Sequence, residues 1–233
     1  MPKTLKNPPP DAVLFDIDGT LLSTGGAGAA SWKWAFNQLY GIPADIGQYT
    51  DAGWTDPEVA KGTFKQVIGR DPTPRELAAV IHAYLSILPD NVQASEGYHV
   101  LDGVYELLPK LAAEGVLLGL TTGGTEPAAH VKLGRGQLNK YFAFGGYGSD
   151  SADRIELTKK AIERGGLIVG HPLDPGNVLV VGDTPRDVKA ALGADAVPVG
   201  VASHKHTEEQ LREAGAEYVI ETLVEGLPGF EAS

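Results

Sequence analysis

Apolar residues fall along this chain in two rhythms. Short unbroken runs at 13–15, 116–121, 141–145, 178–181, 196–201 and 218–220 have the length and β-prone content of strands buried on both faces. Between them, 102–114, 127–133, 153–164, 185–192 and 207–214 carry the spacing of helices with one apolar side. Residues 29–40 read the same way, with Trp32, Ala35, Phe36 and Leu39 on the apolar side and Gly41-Ile42-Pro43 as the stop. Residues 57–88 read as helical in two or three pieces, broken at Gly69-Arg70-Asp71-Pro72. Thr73 is there a candidate N-cap, with Pro74 at the first helical position and Glu76 at the third.

From residue 102 onward strands alternate with helices, which predicts a parallel sheet covered by helices on both faces. Placing 13–15 in the same sheet turns the strand-free stretch from 24 to about 97 into an insertion after the first strand. The expected architecture is an α/β core, 1–22 and 98–233, with a smaller α-helical cap, 23–97. Ligands of such sheets sit beyond the carboxyl ends of the strands, so the residues that follow each strand are the ones to read for chemistry.

Composition narrows the function. Of 233 residues 42% are apolar, enough for one full core and an insertion. A formal charge of −11 argues against a broad nucleic-acid or anionic-membrane surface, yet leaves room for a small phosphate held by local charge or a metal ion. The absence of cysteine removes thiol catalysis, thiolate zinc sites and disulfides. No apolar run approaches the roughly 20 residues of a spanning helix, and 1–10, proline-rich and basic, read as a ragged arm. A soluble, cytoplasmic protein is expected, with monomer and homodimer both open.

Three strand ends carry unusual residues. The first gives Asp16-Ile17-Asp18-Gly19-Thr20, the second Thr121-Thr122-Gly123-Gly124, and the strand at 178–181 gives Gly182-Asp183-Thr184-Pro185-Arg186-Asp187. On an extended strand, residues two apart share a face roughly 6.6 Å from each other, so Asp16 and Asp18 can flank one small group. Gly19 allows a sharp turn and Thr20 offers a hydroxyl. Asp183 alone reads equally as a helix cap; three such ends in one chain do not.

These residues resemble three of the four motifs of the haloacid dehalogenase-like (HAD) hydrolase superfamily, in its phosphatase branch with a helical cap, similar to phosphoglycolate phosphatase. The resemblance covers 12–222 and implies a Rossmann-like core and Mg²⁺ as cofactor. A phosphate ester repels an anionic nucleophile unless a cation intervenes, and Mg²⁺ takes carboxylates, waters and the substrate's phosphate. Asp16 and Asp183 supply two carboxylates. The resemblance makes the Asp18 main-chain carbonyl the third protein ligand. Asp16 is then the nucleophile and Asp18 the proton carrier. Thr122, with Gly123 and Gly124, would hold a phosphoryl oxygen. Asp187, one turn beyond Asp183, is read as an outer partner of the metal, or as a solvated first-turn acid.

The fourth motif is a basic residue facing the nucleophile. The usual Lys before Pro is missing, and Arg154 at a helix start fits best, with Lys159 and Lys160 as substitutes. In the cap, Gly25, Gly26, Trp54, Thr55 and Asp56 are candidates for substrate choice. The 51–57 stretch reads either as helix capping with Trp54 in the cap core or as a loop entering the site. All three tryptophans, Trp32, Trp34 and Trp54, fall in the cap. His82, His99 and His130 share no metal spacing, and His204-Lys205-His206 read as a solvated loop. The expected activity is Mg²⁺-dependent hydrolysis of a small soluble phosphate ester through an aspartyl-phosphate. A phosphomutase, a dehalogenase and a catalytically weak binding protein are the alternatives. A phosphonatase would need a reactive cap lysine, and Lys33, Lys61 and Lys65 sit in no compelling context.

Overall fold

The run Ala-Val-Leu-Phe forms β1 (Ala12–Phe15), every residue of it sealed from solvent. A computed structural model describes residues 4–7, 9–51, 53–202 and 206–231. After β1 come β2 (Leu22–Thr24), α1 (Ala27–Tyr40), α2 (Asp56–Ile68), α3 (Pro74–Ala94), β3 (Tyr98–Val100) and α4 (Val104–Ala113). Then follow β4 (Leu117–Thr122), α5 (Glu126–Arg135), β5 (Phe144–Tyr147), α6 (Arg154–Val169), β6 (Val178–Gly182) and α7 (Pro185–Gly193). The chain finishes with β7 (Val197–Val201), α8 (Glu208–Glu213), β8 (Tyr218–Ile220) and a small hairpin of β9 (Gly226–Leu227) and β10 (Phe230–Glu231).

Six strands make one parallel sheet in the order β5-β4-β1-β6-β7-β8. β1 is interior, and its side chains alternate as a pleated strand requires. Val13 and Phe15 pack on the face with Leu107, Leu108 and Leu111 of α4, while Ala12 and Leu14 pack on the face with Ala161 and Ile162 of α6. The expected α/β sheet is therefore present, with the first strand at its centre.

Helices α1 to α3 share an apolar cluster of their own, in which Trp32 stacks on Tyr84 at 4.0 Å between ring centres. Thr55 and Thr73 each close a capping box, with Glu58 and Glu76. Ala128 of α5 joins this cluster, so α5 packs against the insertion as well as the sheet. Where the insertion leaves and re-enters the core, β2 and β3 pair as a three-residue antiparallel ribbon. Its strands are too short to show a period in the sequence.

Several boundaries differ for physical reasons. Leu39 is exposed, because the buried stripe of α1 ends at Phe36. The strand expected at 141–145 lies at Phe144–Tyr147, preceded by a 3-10 turn at Asn139–Tyr141. Gly146 belongs inside that strand because a Cβ there would strike the Leu157 carbonyl of α6. For the same kind of close approach α6 runs on through Gly165, whose Cβ would crowd Leu173 and Phe144 at 2.9 and 3.0 Å. Its end is Gly170, at φ 81°. α3 likewise continues past Pro89 to Ala94, since apolar burial at Leu88 and Val92 holds the turns on both sides.

Candidate active site

Asp16 leaves β1 with its N–H still donating to the Val181 carbonyl at 2.9 Å, which keeps it in register with β6. The chain then turns tightly, and the Ile17 carbonyl accepts from the amides of Thr20, Leu21 and Leu22. Gly19 sits at φ +89°, and any Cβ there would collide with the Asp183 carboxylate. Only glycine both turns the chain and leaves room for that acid. The turn, rather than a straight strand, brings Asp16 and Asp18 to one cavity of about 120 Å³. Thr122, Arg154 and Asp183 line the same cavity. Thr20 does not: it is fully buried and its hydroxyl finds no hydrogen-bond partner.

Carboxylate oxygens of Asp16, Asp183 and Asp187 lie within 4.8 Å of one another, all three residues buried. Burial pushes the Asp16 carboxyl well above the ordinary aspartate value. Asp187 adds to the rise, Arg154 opposes it, and Asp183 and Asp18 raise it further. Such a cluster calls for positive charge, and its all-oxygen donors suit a hard divalent cation such as Mg²⁺. The residues present therefore fit the ion that the sequence implies.

Asp187 is not a solvated first-turn acid. One of its oxygens accepts from Arg154, and the other accepts from the Thr184 amide at 3.1 Å and hydroxyl at 2.6 Å, closing the capping box of α7. Arg154 opens α6 behind the Asp153 cap, which accepts from the Ile155 amide at 2.8 Å. The guanidinium lies 3.6 Å from Asp16 and in contact with Asp187. Lys159 and Lys160 face outward, paired with Glu156 and Glu163 at 2.9 Å each. Of the three basic candidates, Arg154 is the one at the cavity.

The Thr122 hydroxyl accepts from the Gly124 amide at 3.2 Å, which leaves its own proton free to point elsewhere. Gly123 is needed for a different neighbour than phosphate alone. A Cβ there would lie 2.6 Å from the Trp54 carbonyl and 3.0 Å from Arg154, and its carbonyl accepts from the Asp56 amide at 2.8 Å. So the 53–56 loop of the insertion docks on the 122–125 loop of the core. Both readings of that loop hold. Thr55 caps α2 and Trp54 packs on the cluster of α1 to α3, while Gly53, Trp54 and Asp56 also line the cavity.

Other candidates are placed elsewhere. Gly25 and Gly26 take positive φ at the end of β2, and Gly25 abuts Gly97 rather than the cavity. Lys33, Lys61 and Lys65 are exposed, as are His82, His99 and His130. His204 and Lys205 lie outside the described residues, and His206 is half-buried.

Sequence reasoning missed Lys132. Its ammonium donates to Asp18 Oδ2 at 2.5 Å. Burial works against that charge, but Asp18, Tyr84 and Asp56 around it outweigh burial and hold the pKa above the ordinary lysine value. The signal was positional: Lys132 occupies the buried stripe of α5 with Ala128, Ala129 and Leu133, a poor place for a lysine without a partner. Asp56, a candidate for substrate choice at the first position of α2, also serves α5. Thr125 makes no side-chain cap of its own, and Asp56 instead accepts from the Thr125 amide at 2.7 Å and hydroxyl at 3.1 Å.

A sequence model described as haloacid dehalogenase-like hydrolase matches residues 13–201. A phosphoglycolate phosphatase of Salmonella typhi is 28% identical over 208 residues, 81% of this chain and 80% of that one. Among solved structures, a hydrolase from Pseudomonas syringae superposes with a TM-score of 0.71 at 24% identity, covering 96% of this chain and 100% of the other. CbbY from Rhodobacter sphaeroides, in complex with phosphate, gives 0.72 at 19% identity, covering 95% and 99%. These two structural likenesses speak for the fold.

Proposed function

The chain belongs to the haloacid dehalogenase-like hydrolase family and is a hydrolase of phosphatase type, and from that premise we propose that it is a Mg²⁺-dependent phosphomonoesterase working through an aspartyl-phosphate. The observation that carries this reading is the convergence of Asp16, Asp183, Arg154 and Thr122 on one cavity from four different segments. Asp16 and Asp183, with the Asp18 carbonyl, would hold the cation, which offsets the repulsion between two anions and polarises the phosphoryl group.

The protein's own residues do the rest. The Asp16 carboxylate attacks phosphorus while the bond to the leaving oxygen breaks. Asp18 gives that oxygen a proton. Asp18 then takes a proton from water as the water attacks phosphorus, and the Asp16 carboxylate is regenerated. Thr122 and Arg154 hold phosphoryl oxygens, and Asp187 keeps the guanidinium in place. Trp54 and Asp56 close the cavity from the insertion, which we read as a cap that excludes bulk water.

A cavity of about 120 Å³ favours a small ester. The name of the Salmonella typhi relative makes phosphoglycolate the first to try. A dehalogenase needs neither an acid at position 18 nor the buried acid cluster, so those features favour phosphorus over carbon. The test is phosphate release from a panel of small esters, with Mg²⁺ and with a chelator. Mg²⁺-dependent release from at least one ester is expected; a panel that stays silent in Mg²⁺ would contradict the reading.

No helix among the described residues is long and apolar enough to cross a membrane. A net charge of −11 and a small soluble ester as substrate support a cytoplasmic role.

A further inference from the structure

The cavity contains a lysine that the chemistry above does not use. Lys132 is 9% exposed at its side chain, whereas its partner Asp18 is 44% exposed on a turn. A buried ammonium needs a partner, and the fold holds the backbone that carries this lysine firmly. Its helix is anchored at one end by Asp56, which accepts from Thr125, and tied at the other by Arg135, which donates to the Val92 and Ser95 carbonyls at 2.5 and 2.7 Å. The Lys132 carbonyl itself accepts from the Tyr98 hydroxyl at 2.8 Å. The ordering therefore runs from the lysine to the aspartate: a buried group on an anchored helix holds a half-exposed one.

We propose that Lys132 is a positioning residue for the proton carrier. It clamps Asp18 Oδ2 and leaves Oδ1 as the oxygen that serves the leaving group. In the step concerned, an Asp16 oxygen bonds to phosphorus, the phosphorus–oxygen bond to the alcohol breaks, and the proton of Asp18 passes to the departing oxygen. Lys132 transfers nothing. It is a partner of Asp18 supplied by the core helix that faces the cap, so the clamp and the cap share α5. The inference rests on the phosphatase reading.

Esters with different leaving groups separate this role from a merely structural one. Nitrophenolate departs without a proton, whereas an alkoxide does not. In Lys132→Met, kcat/KM for the alkyl phosphate that the wild type turns over best should fall about a hundredfold, the scale of a misplaced reacting group. For 4-nitrophenyl phosphate the loss should stay below about threefold, because little proton transfer is needed. Lys132→Arg, which keeps the charge and the donor, should recover most of the alkyl turnover. Equal losses for both esters, or none for either, would overturn the proposal.

A wild type that hydrolyses neither ester would instead sink the phosphatase reading. The clamp is then read from the ammonium proton signal of Lys132 in nitrogen-15 spectra of the whole protein. Loss or displacement of that signal in Asp18→Asn supports the clamp, and an unchanged signal rejects it.

Discussion

Asp187 shows how much one buried side chain can carry. Its two oxygens hold Arg154 beside Asp16 and close the N-terminus of α7. Asp187→Ala would leave a buried guanidinium without its nearest partner and the α7 capping box with only its Thr184 half. A loss of about 3–5 kcal/mol is expected, the usual cost of breaking a buried pair, read from urea unfolding in chelator. A loss below about 1 kcal/mol, the scale of a surface pair, would mean that Arg154 is held by something else. Residues of this kind were legible in the sequence where their type was wrong for their place. Asp16, Asp18 and Asp183 follow apolar strands directly, and Arg154 opens a helix. Lys132 was hidden because its oddness depends on the helical register of α5, which the boundary at 127–133 did not define well enough. The second tie of Asp56 was hidden because its partner Thr125 lies 69 residues away.

Elements were legible where period and punctuation agreed. The alternation after residue 102 gave the parallel sheet, and the Thr-Pro-x-Glu pattern at 73–76 gave the start of α3. Glycines and prolines misled where tertiary contact overrode them: Gly146 and Gly165 stay inside elements because neighbours approach too closely for a Cβ, and Pro89 stays inside α3. The N-terminus of α3 also supplies a titration. Glu76 has its pKa lowered to about 2, first by Arg70, at 2.6 Å, and then by the Thr73 amide and hydroxyl. A carboxyl with a depressed folded pKa stabilises above its unfolded value and loses that contribution as pH falls through the folded one. The difference in thermal midpoint between wild type and Glu76→Gln should therefore be full at pH 6 and shrink steadily below about pH 4.5. A difference that stays constant down to pH 3 would contradict the pairing.

At the scale of the whole molecule, the insertion meets the core along α5 and at the 53–56 loop. The Arg186 guanidinium stands 5.9 Å from the Trp54 ring centre, a cation over an aromatic face. Trp32 is stacked inside the helical cluster and Trp34 lies on its surface, so Trp54 is the tryptophan placed to sense the boundary. Saturating Mg²⁺ with vanadate, a phosphate mimic, should change the emission of the wild type and leave Trp54→Phe nearly unchanged. An equal change in Trp54→Phe would remove Trp54 as the reporter. The central claim, however, is that Asp16 is the nucleophile of a Mg²⁺-dependent phosphatase. The most direct test is 4-nitrophenyl phosphate turnover by Asp16→Asn, folded as judged by circular dichroism. Turnover should fall by at least about a thousandfold, as when a nucleophile is removed from a concerted site. Turnover within about tenfold of wild type would contradict the account.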